Sequence, residues 1–140
     1  MIFVEKALYN TLAASTALTA LVGGTASPRI YNTVIPQGAT LPVVVFQKMG
    51  GRHIADNPKE AADLNYAVKC IDDDLITAEE VDLQIKNTLD RQSLGVNTEG
   101  MADYKVFRQL NLHFIEDIGG GKPLYHIGAI YVIGVAGTQT

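Results

Sequence analysis

The sequence of this 140-residue chain predicts a single domain of the α+β class, with two or three helices packed on one face of a mainly antiparallel sheet. Two segments carry apolar residues at helical spacing, and several others alternate apolar and polar residues as strands do. The last third contains two long alternating segments separated by glycines, which is typical of an antiparallel hairpin. With 47% hydrophobic and 19% charged residues, a chain of this length can bury a substantial core.

The N-terminal region predicts a helix over residues 3–14 and a second, shorter helix after it. Apolar residues recur at helical spacing on one side of the first helix; they include Val4, Leu8 and Leu12. Ser15 is suited to cap a second helix that runs to Val22, because its hydroxyl can accept a hydrogen bond from a free backbone amide. Gly23 and Gly24 then end this helical pattern.

Three strands and a long loop follow. Extended segments are expected at residues 29–34, 42–48 and 64–71, where β-branched, aromatic and alternating residues are frequent. Residues 50–63 have no periodicity and contain Gly-Gly and Asn-Pro pairs, so they predict a loop of about a dozen residues. Because its charges are mixed, we interpret this loop as a candidate docking segment whose polar side chains are Arg52, His53, Asp56, Lys59 and Glu60.

A further helix is expected over residues 77–91. Thr77 and Glu80 have the spacing of a capping box, with Thr77 as the N-cap. The apolar residues of one face are Ala78, Val81, Ile85 and Leu89. Leu83 lies off this face, so it is either an ordinary exposed leucine or a subunit contact.

The C-terminal hairpin is expected to centre on Gly119 and Gly120. Even-numbered apolar residues of its first strand and odd-numbered ones of its second share a face only if paired residue numbers have an odd sum. This register pairs Leu112 with Ile127, Phe114 with Tyr125, Arg108 with Tyr131, and His113 with His126. Arg108 would then reach the sheet edge or stack on the Tyr131 ring.

The reverse face of this hairpin is less polar than a solvent-facing sheet should be. Either another layer of the same chain covers it or a neighbouring subunit does, and the small number of helices favours the neighbour. With Leu83, the candidate subunit interface comprises Phe107, Ile115, Leu124, Ile130 and Val132.

The residue patterns contain no convincing catalytic or metal signature. Residues 119–122 resemble a phosphate loop but lack its first glycine and its Ser or Thr. Asp72, Asp73 and Asp74 do not continue into a calcium loop and fit a turn before a helix, where carboxylates are favoured. Two opposed histidines could hold a metal ion, but no third ligand is evident. We therefore expect no enzyme activity, no metal and no cofactor.

Charge and cysteine content narrow the function further. The net charge of −4 disfavours a protein that grips nucleic acid, which needs clustered Lys and Arg. Cys70 is the only cysteine, so an intramolecular disulfide is impossible, and its strand context predicts a buried thiol. The sequence lacks a signal peptide pattern and a long apolar span, so we expect synthesis in a reducing cytoplasm and no membrane insertion.

One region resembles a known family. The segments LTALVGG (18–24), RIY (29–31), IPQGATLP (35–42) and VVVF (43–46) follow one another in this order. This order resembles that of the tail-completion (tail-terminator) proteins of long-tailed bacteriophages and related gene-transfer particles. The later layout of loop, strand, capped helix and hairpin is also similar.

The resemblance implies an α+β virion protein that forms a homo-oligomeric ring, commonly a hexamer. The ring would cap the head-proximal end of the tail tube, end tube polymerisation and form the head-to-tail joining surface. Its implied partners are itself, the tail-tube protein and the head connector protein, and DNA would pass through without sequence-specific binding. An acidic lumen would repel phosphate, and its candidate acids are Asp72, Asp73 and Asp74. The alternatives are another head–tail connector or tube component, or a small cytoplasmic ligand-binding domain or enzyme.

Overall fold

The computed structural model describes residues 2–53, 62–94, 101–117 and 121–137, with side chains described for 4–50, 63–94, 105–117 and 121–134. The elements in chain order are α1 (Ile2–Ala13), α2 (Thr16–Thr19), β1 (Ile30–Asn32), β2 (Val43–His53), β3 (Ala62–Asp72), α3 (Leu75–Leu89), β4 (Met101–Asp117) and β5 (Pro123–Gly137). The predicted α+β class is confirmed.

The strands form one five-stranded sheet with the order β1-β2-β3-β5-β4. β1 is parallel to β2 and all other neighbours are antiparallel. The main core lies between the helices and one sheet face, and its largest fully buried side chains include Tyr66, Tyr131 and Phe46. In this strand order, β1 and β4 are the two edges of the sheet.

The N-terminal helices follow the predicted pattern, except that the second is shorter. Val4, Leu8 and Leu12 are fully buried, as the helical spacing predicted. Ser15 is the N-cap of α2, and its Oγ accepts a hydrogen bond from the Leu18 amide at 3.3 Å. α2 ends at Thr19 because the chain turns there: the Gly24 amide donates to the Thr19 carbonyl at 2.6 Å, with Gly23 at a φ of 107°.

α3 begins earlier than predicted, and its N-cap is Asp74 rather than Thr77. The Asp74 carboxylate accepts hydrogen bonds from the Thr77 amide (3.2 Å) and the Thr77 hydroxyl (2.6 Å). Leu75 packs against the core, which favours the extra turn of helix. The predicted buried face is confirmed: Ala78, Val81, Ile85 and Leu89 are fully buried.

The prediction of a loop over residues 50–63 is wrong at both ends of that range. β2 extends to His53 and β3 begins at Ala62, so Gly51 pairs with Leu64 and Arg52 with Asp63. A bulge at Met49, with Gly50 at a φ of 149°, lets the strands continue past the glycines. The rest of the predicted loop, residues 54–61, lies outside the described residues.

The predicted register of the β4–β5 hairpin is right only from Val106 to Arg108, because the ladder shifts both between Asp103 and Val106 and after Arg108. Phe107 pairs with Val132 and Arg108 with Tyr131 as expected. A bulge at Gln109 then shifts the ladder by one residue, so Leu110 pairs with Ile130. In place of the expected pairs, Leu112 pairs with Gly128, Phe114 with His126, His113 with Ile127, and Ile115 with Tyr125.

Candidate assembly surface

The bulge at Gln109 decides which β4 side chains face away from the helices. Each β4 residue shares a sheet face with its β5 partner, so after the bulge the even-numbered residues turn to the reverse face. Leu110 and Phe114 therefore leave the core face on which their spacing placed them. They are 57% and 46% exposed, whereas the unshifted Val106 is fully buried.

The same shift corrects the predicted interface. Ile115 lies on the helix face, opposite Tyr125, and not on the reverse face. Leu124 is half-buried in a small second cluster with Val43, Val45 and Ile71. Leu83 is exposed on α3, as expected from its position off the buried stripe.

The chain itself covers part of the reverse face. Ile35, Ala39 and Leu41, from the segment between β1 and β2, pack against the second cluster. No described segment packs over the remainder of this face near β4. We call this remainder the open apolar face; its exposed members are Phe107, Leu110 and Phe114, and Leu112, Ile130 and Val132 lie half-buried beside them. Exposed apolar side chains grouped in this way are typical of an interaction surface.

At the border of the open apolar face, Phe114 packs against the polar side chains of His126 and Lys69. The Phe114 ring stacks on the His126 imidazole with centroids 4.2 Å apart, and Lys69 Nζ lies 4.8 Å from the Phe114 centroid. His126 Nε2 and Glu116 Oε1 are 2.8 Å apart. Burial lowers the pKa of Lys69, and the Glu116 carboxylate opposes this shift. The histidine pair suggested by the sequence does not form, because His113 and His126 lie on opposite faces.

Arg108 joins α3 to β4 on the helix face. Its guanidinium donates two hydrogen bonds to the Asp82 carboxylate (3.0 and 2.8 Å) and one to the Tyr131 hydroxyl (2.9 Å). Its Cζ also lies 5.7 Å from the centroid of the Tyr131 ring, so the predicted stacking is present. Burial raises the pKa of Tyr131 to about 12, and the Arg108 charge opposes this shift. The role of Asp82 was missed, since nothing in its spacing singles it out.

The three consecutive aspartates occupy different environments. Asp72 is buried at the end of β3, and desolvation raises the pKa of its carboxyl. Asp73 is exposed. Hydrogen bonds from Thr77 lower the pKa of Asp74, consistent with its place at the start of α3. The interpretation of these acids as a turn before a helix is therefore confirmed, and their role in a lumen stays a prediction.

The candidate docking residues are only partly described. Arg52 and His53 belong to β2, where their backbones pair with Asp63 and Ala62. Asp56, Lys59 and Glu60 lie outside the described residues. Cys70 is a buried free thiol, as its strand context predicted.

Within the described ranges, no group of three or more His, Cys, Asp or Glu side chains could hold a metal ion. None of the described helices is both long and apolar enough to span a membrane. The open apolar face offers apolar contact. A small α+β domain with an open apolar face has the form of an assembly component.

Comparison with known proteins identifies the kind of assembly. A family model described as Tail completion protein gp17 matches residues 6–127, so the chain belongs to this family. Membership makes it a structural component of a phage-type tail. A chain in a solved structure titled "Virion of native gene transfer agent (GTA) particle" has the same fold, with a TM-score of 0.72 at 17% identity, over 95% of this chain and 94% of that one. No curated protein matches.

Proposed function

We propose that this protein forms a ring, with six copies, at the head-proximal end of the tail tube. The ring ends tube polymerisation and presents the joining surface to the head connector. Its membership in a tail completion family supports this proposal, and the open apolar face is the observation that carries it. A tube end differs from the tube wall only in its unsatisfied contacts, so its cap needs a matching surface rather than a reactive site.

The open apolar face is the proposed contact between neighbouring subunits. Phe107 and Leu110 are 50% and 57% exposed, and covering such apolar surface contributes about 25 cal/mol per Å². Leu83, exposed on α3, is a second candidate contact on the helix side. A ring requires two different surfaces on each subunit, because a cyclic contact joins unlike patches.

The end of the β2–β3 hairpin is the proposed docking element for the tail tube or the connector. Residues 54–61 join the paired positions His53 and Ala62. Exposed Asp73, beside Asp72 and Asp74, is proposed to face the lumen through which DNA passes. Negative charge there would repel phosphate and let the DNA slide.

The test is to remove this protein from a particle lineage that normally makes it and to examine the heads and tails that form. We expect filled heads without tails, together with tails of irregular or excessive length, and purified protein added to such a lysate should restore joining. The added protein should need no nucleotide, metal or metabolite. Tails of normal length that remain unjoined would instead indicate another connector component. Normal, joined tails would reject a tail-completion role for this chain and favour a ligand-binding or enzymatic one.

A further inference from the structure

β4 is an edge strand, and among the described residues the segment 90–93 covers its outer side beside residues 105–108. The Val106 amide donates to the Gln92 carbonyl at 2.9 Å, and the Arg91 amide donates to the Val106 carbonyl at 2.6 Å. The Arg108 amide donates to Asp90 Oδ1 at 2.9 Å. Over residues 111–115, no described segment pairs with the outer edge.

The covered half shows which amides of the uncovered half point outward. Val106 and Arg108 turn their backbone groups away from β5, so the intervening Phe107 and its partner Val132 face each other across the ladder. β5 pairs with β3 without any register shift, so its even residues continue to face β4. Their partners after the bulge are Leu110, Leu112 and Phe114. The outward-pointing residues are therefore Asn111, His113 and Ile115.

This edge lacks the usual protection against pairing with another strand. Natural edge strands carry charged residues or proline, are very short, or are bent by a bulge, and the β4 bulge at Gln109 lies before the uncovered residues. Residues 110–115 contain no Asp, Glu, Lys, Arg or Pro, and β4 is 17 residues long. Leu110, Phe114 and Ile115 are all exposed beside it. Such an edge fits an extended polypeptide strand.

We propose that residues 111–115 pair antiparallel with the same residues of a second copy, about a two-fold axis at His113. Asn111 then lies opposite Ile115 of the second copy, so all three outward residues of each chain exchange hydrogen bonds. Leu112 meets Phe114 of the second copy, which pairs two apolar side chains. A register centred on Leu112 would instead place Ile115 opposite the bulged Gln109 and lose part of the ladder.

Charge and space both favour a second copy as the occupant. The paired segments bring no formal charges of like sign opposite each other, and a two-fold contact needs only one self-complementary surface. A groove of about 390 Å³ between α3 and β4, lined by Leu83, Asn111 and His113 together with charged side chains of α3, lies on the side of the edge where Ile115 of the second copy would sit. This two-fold pair is distinct from the cyclic contact of a ring, and it shields the edge from open-ended aggregation before assembly.

Variants of the full chain that each add one cysteine to the buried Cys70 test the register. Cys70 is buried, so the parent protein provides the unreactive background. Mild oxidation should link His113→Cys into a homodimer, because the two Cα atoms would lie about 5.5 Å apart. Ile115→Cys alone should not link, since the Cα atoms of its two copies would be about 14 Å apart. A mixture of Ile115→Cys with Asn111→Cys should give the mixed dimer.

An edge proline provides the second measurement. His113→Pro removes an outward amide and leaves the β5 ladder intact, so it should sediment as a monomer at concentrations where the parent and His113→Ala are dimers. If His113→Pro does not fold, the cross-linking pattern of the cysteine variants is sufficient to test the edge pairing. Equal linking of His113→Cys and Ile115→Cys, or no linking of either, overturns the pairing. If the dimers show this cysteine pattern but particles without the protein still form normal tails, the edge pairing is supported and the proposed function is rejected.

Discussion

Arg108 shows how a single residue can connect elements that are distant in sequence. The spacing placed it opposite Tyr131, and the structure confirms that pairing and the contact with the ring. Its hydrogen bonds to Asp82 span 26 positions of sequence. They depend on how α3 crosses the sheet, which residue periodicity does not define. Charge-assisted, bidentate hydrogen bonds between an arginine and a carboxylate are among the stronger polar contacts in proteins.

Two buried tyrosines make a matched pair for a stability test. The Tyr66 hydroxyl is buried and, among the described residues, has no hydrogen-bond partner, whereas the Tyr131 hydroxyl accepts a bond from Arg108. Tyr66→Phe should raise the free energy of unfolding by about 1 kcal/mol, and Tyr131→Phe should lower it by about 2 kcal/mol. Urea unfolding of both variants measures this. Equal effects of the two changes would contradict the assigned hydrogen bonding.

Asp72 should make stability depend on pH. Desolvation raises the pKa of its carboxyl in the folded state, and the backbone hydrogen bond from Asp73 opposes this shift. The charged form is therefore disfavoured in the folded state, so the folded protein gains stability as pH falls through the raised pKa. Asp72→Asn should be more stable than the parent at pH 7, and the difference should shrink towards the unfolded-state pKa of about 3.9. Unfolding at several pH values tests this, and a less stable variant at pH 7 would show that the hydrogen bond outweighs desolvation.

At the scale of elements, the β4 bulge is the feature with the largest consequence. The odd-sum rule predicted the pairs of Phe107 and Arg108 correctly, because the ladder is continuous between the register shift before Val106 and the bulge at Gln109. One additional residue then reverses the face of every later β4 side chain. Gln109 has no property that identifies it as a bulge, so the sequence could not show that Leu110 and Phe114 leave the core.

The β2–β3 hairpin provides a prediction about docking. Since His53 pairs with Ala62, residues 54–61 can be replaced by Asn-Gly in a two-residue turn. We expect the shortened protein to keep its melting temperature and self-association but to lose tail completion, because the strands remain paired while the docking segment is removed. Thermal unfolding and a plaque or transfer assay measure both. Normal particles from the shortened variant would exclude this segment from docking.

At the scale of the whole molecule, the helices cover one face of the sheet, and only part of the other face is covered by described residues. The segment between β1 and β2 covers the side near Val43, and the open apolar face lies at the opposite edge. The expectation of a neighbouring subunit on the reverse face is therefore narrowed to β4 and β5. Membership in the tail completion family implies association with other proteins of a virion.

The open apolar face can be tested without disturbing the uncovered part of the β4 edge. Phe107 and Val132 pair before the bulge, where residues 91 and 92 cover the outer edge. Phe107→Lys with Val132→Lys should remain folded but fail to form rings, because charge is tolerated in water and not in an apolar contact. Val34→Lys, at a site 73% exposed near the other edge, is the control and should assemble normally. Loss of folding in the double variant would mean that this face belongs to the core of the chain itself.

The sequence alone determined the class of the fold, the buried faces of α1 and α3, the Ser15 cap and the alternation of β3, since each depends on the periodicity of neighbouring residues. The resemblance carried by residues 18–46 also indicated the family that the comparison confirmed. Tertiary structure alone decided the start of α3 at Asp74, the length of β2 and β3, the partner of Arg108 and the side chains of the open apolar face. Each of these depends on a competition between contacts distant in sequence: packing of Leu75 on the core, pairing of strands past Gly50, and one bulged residue that reverses a face.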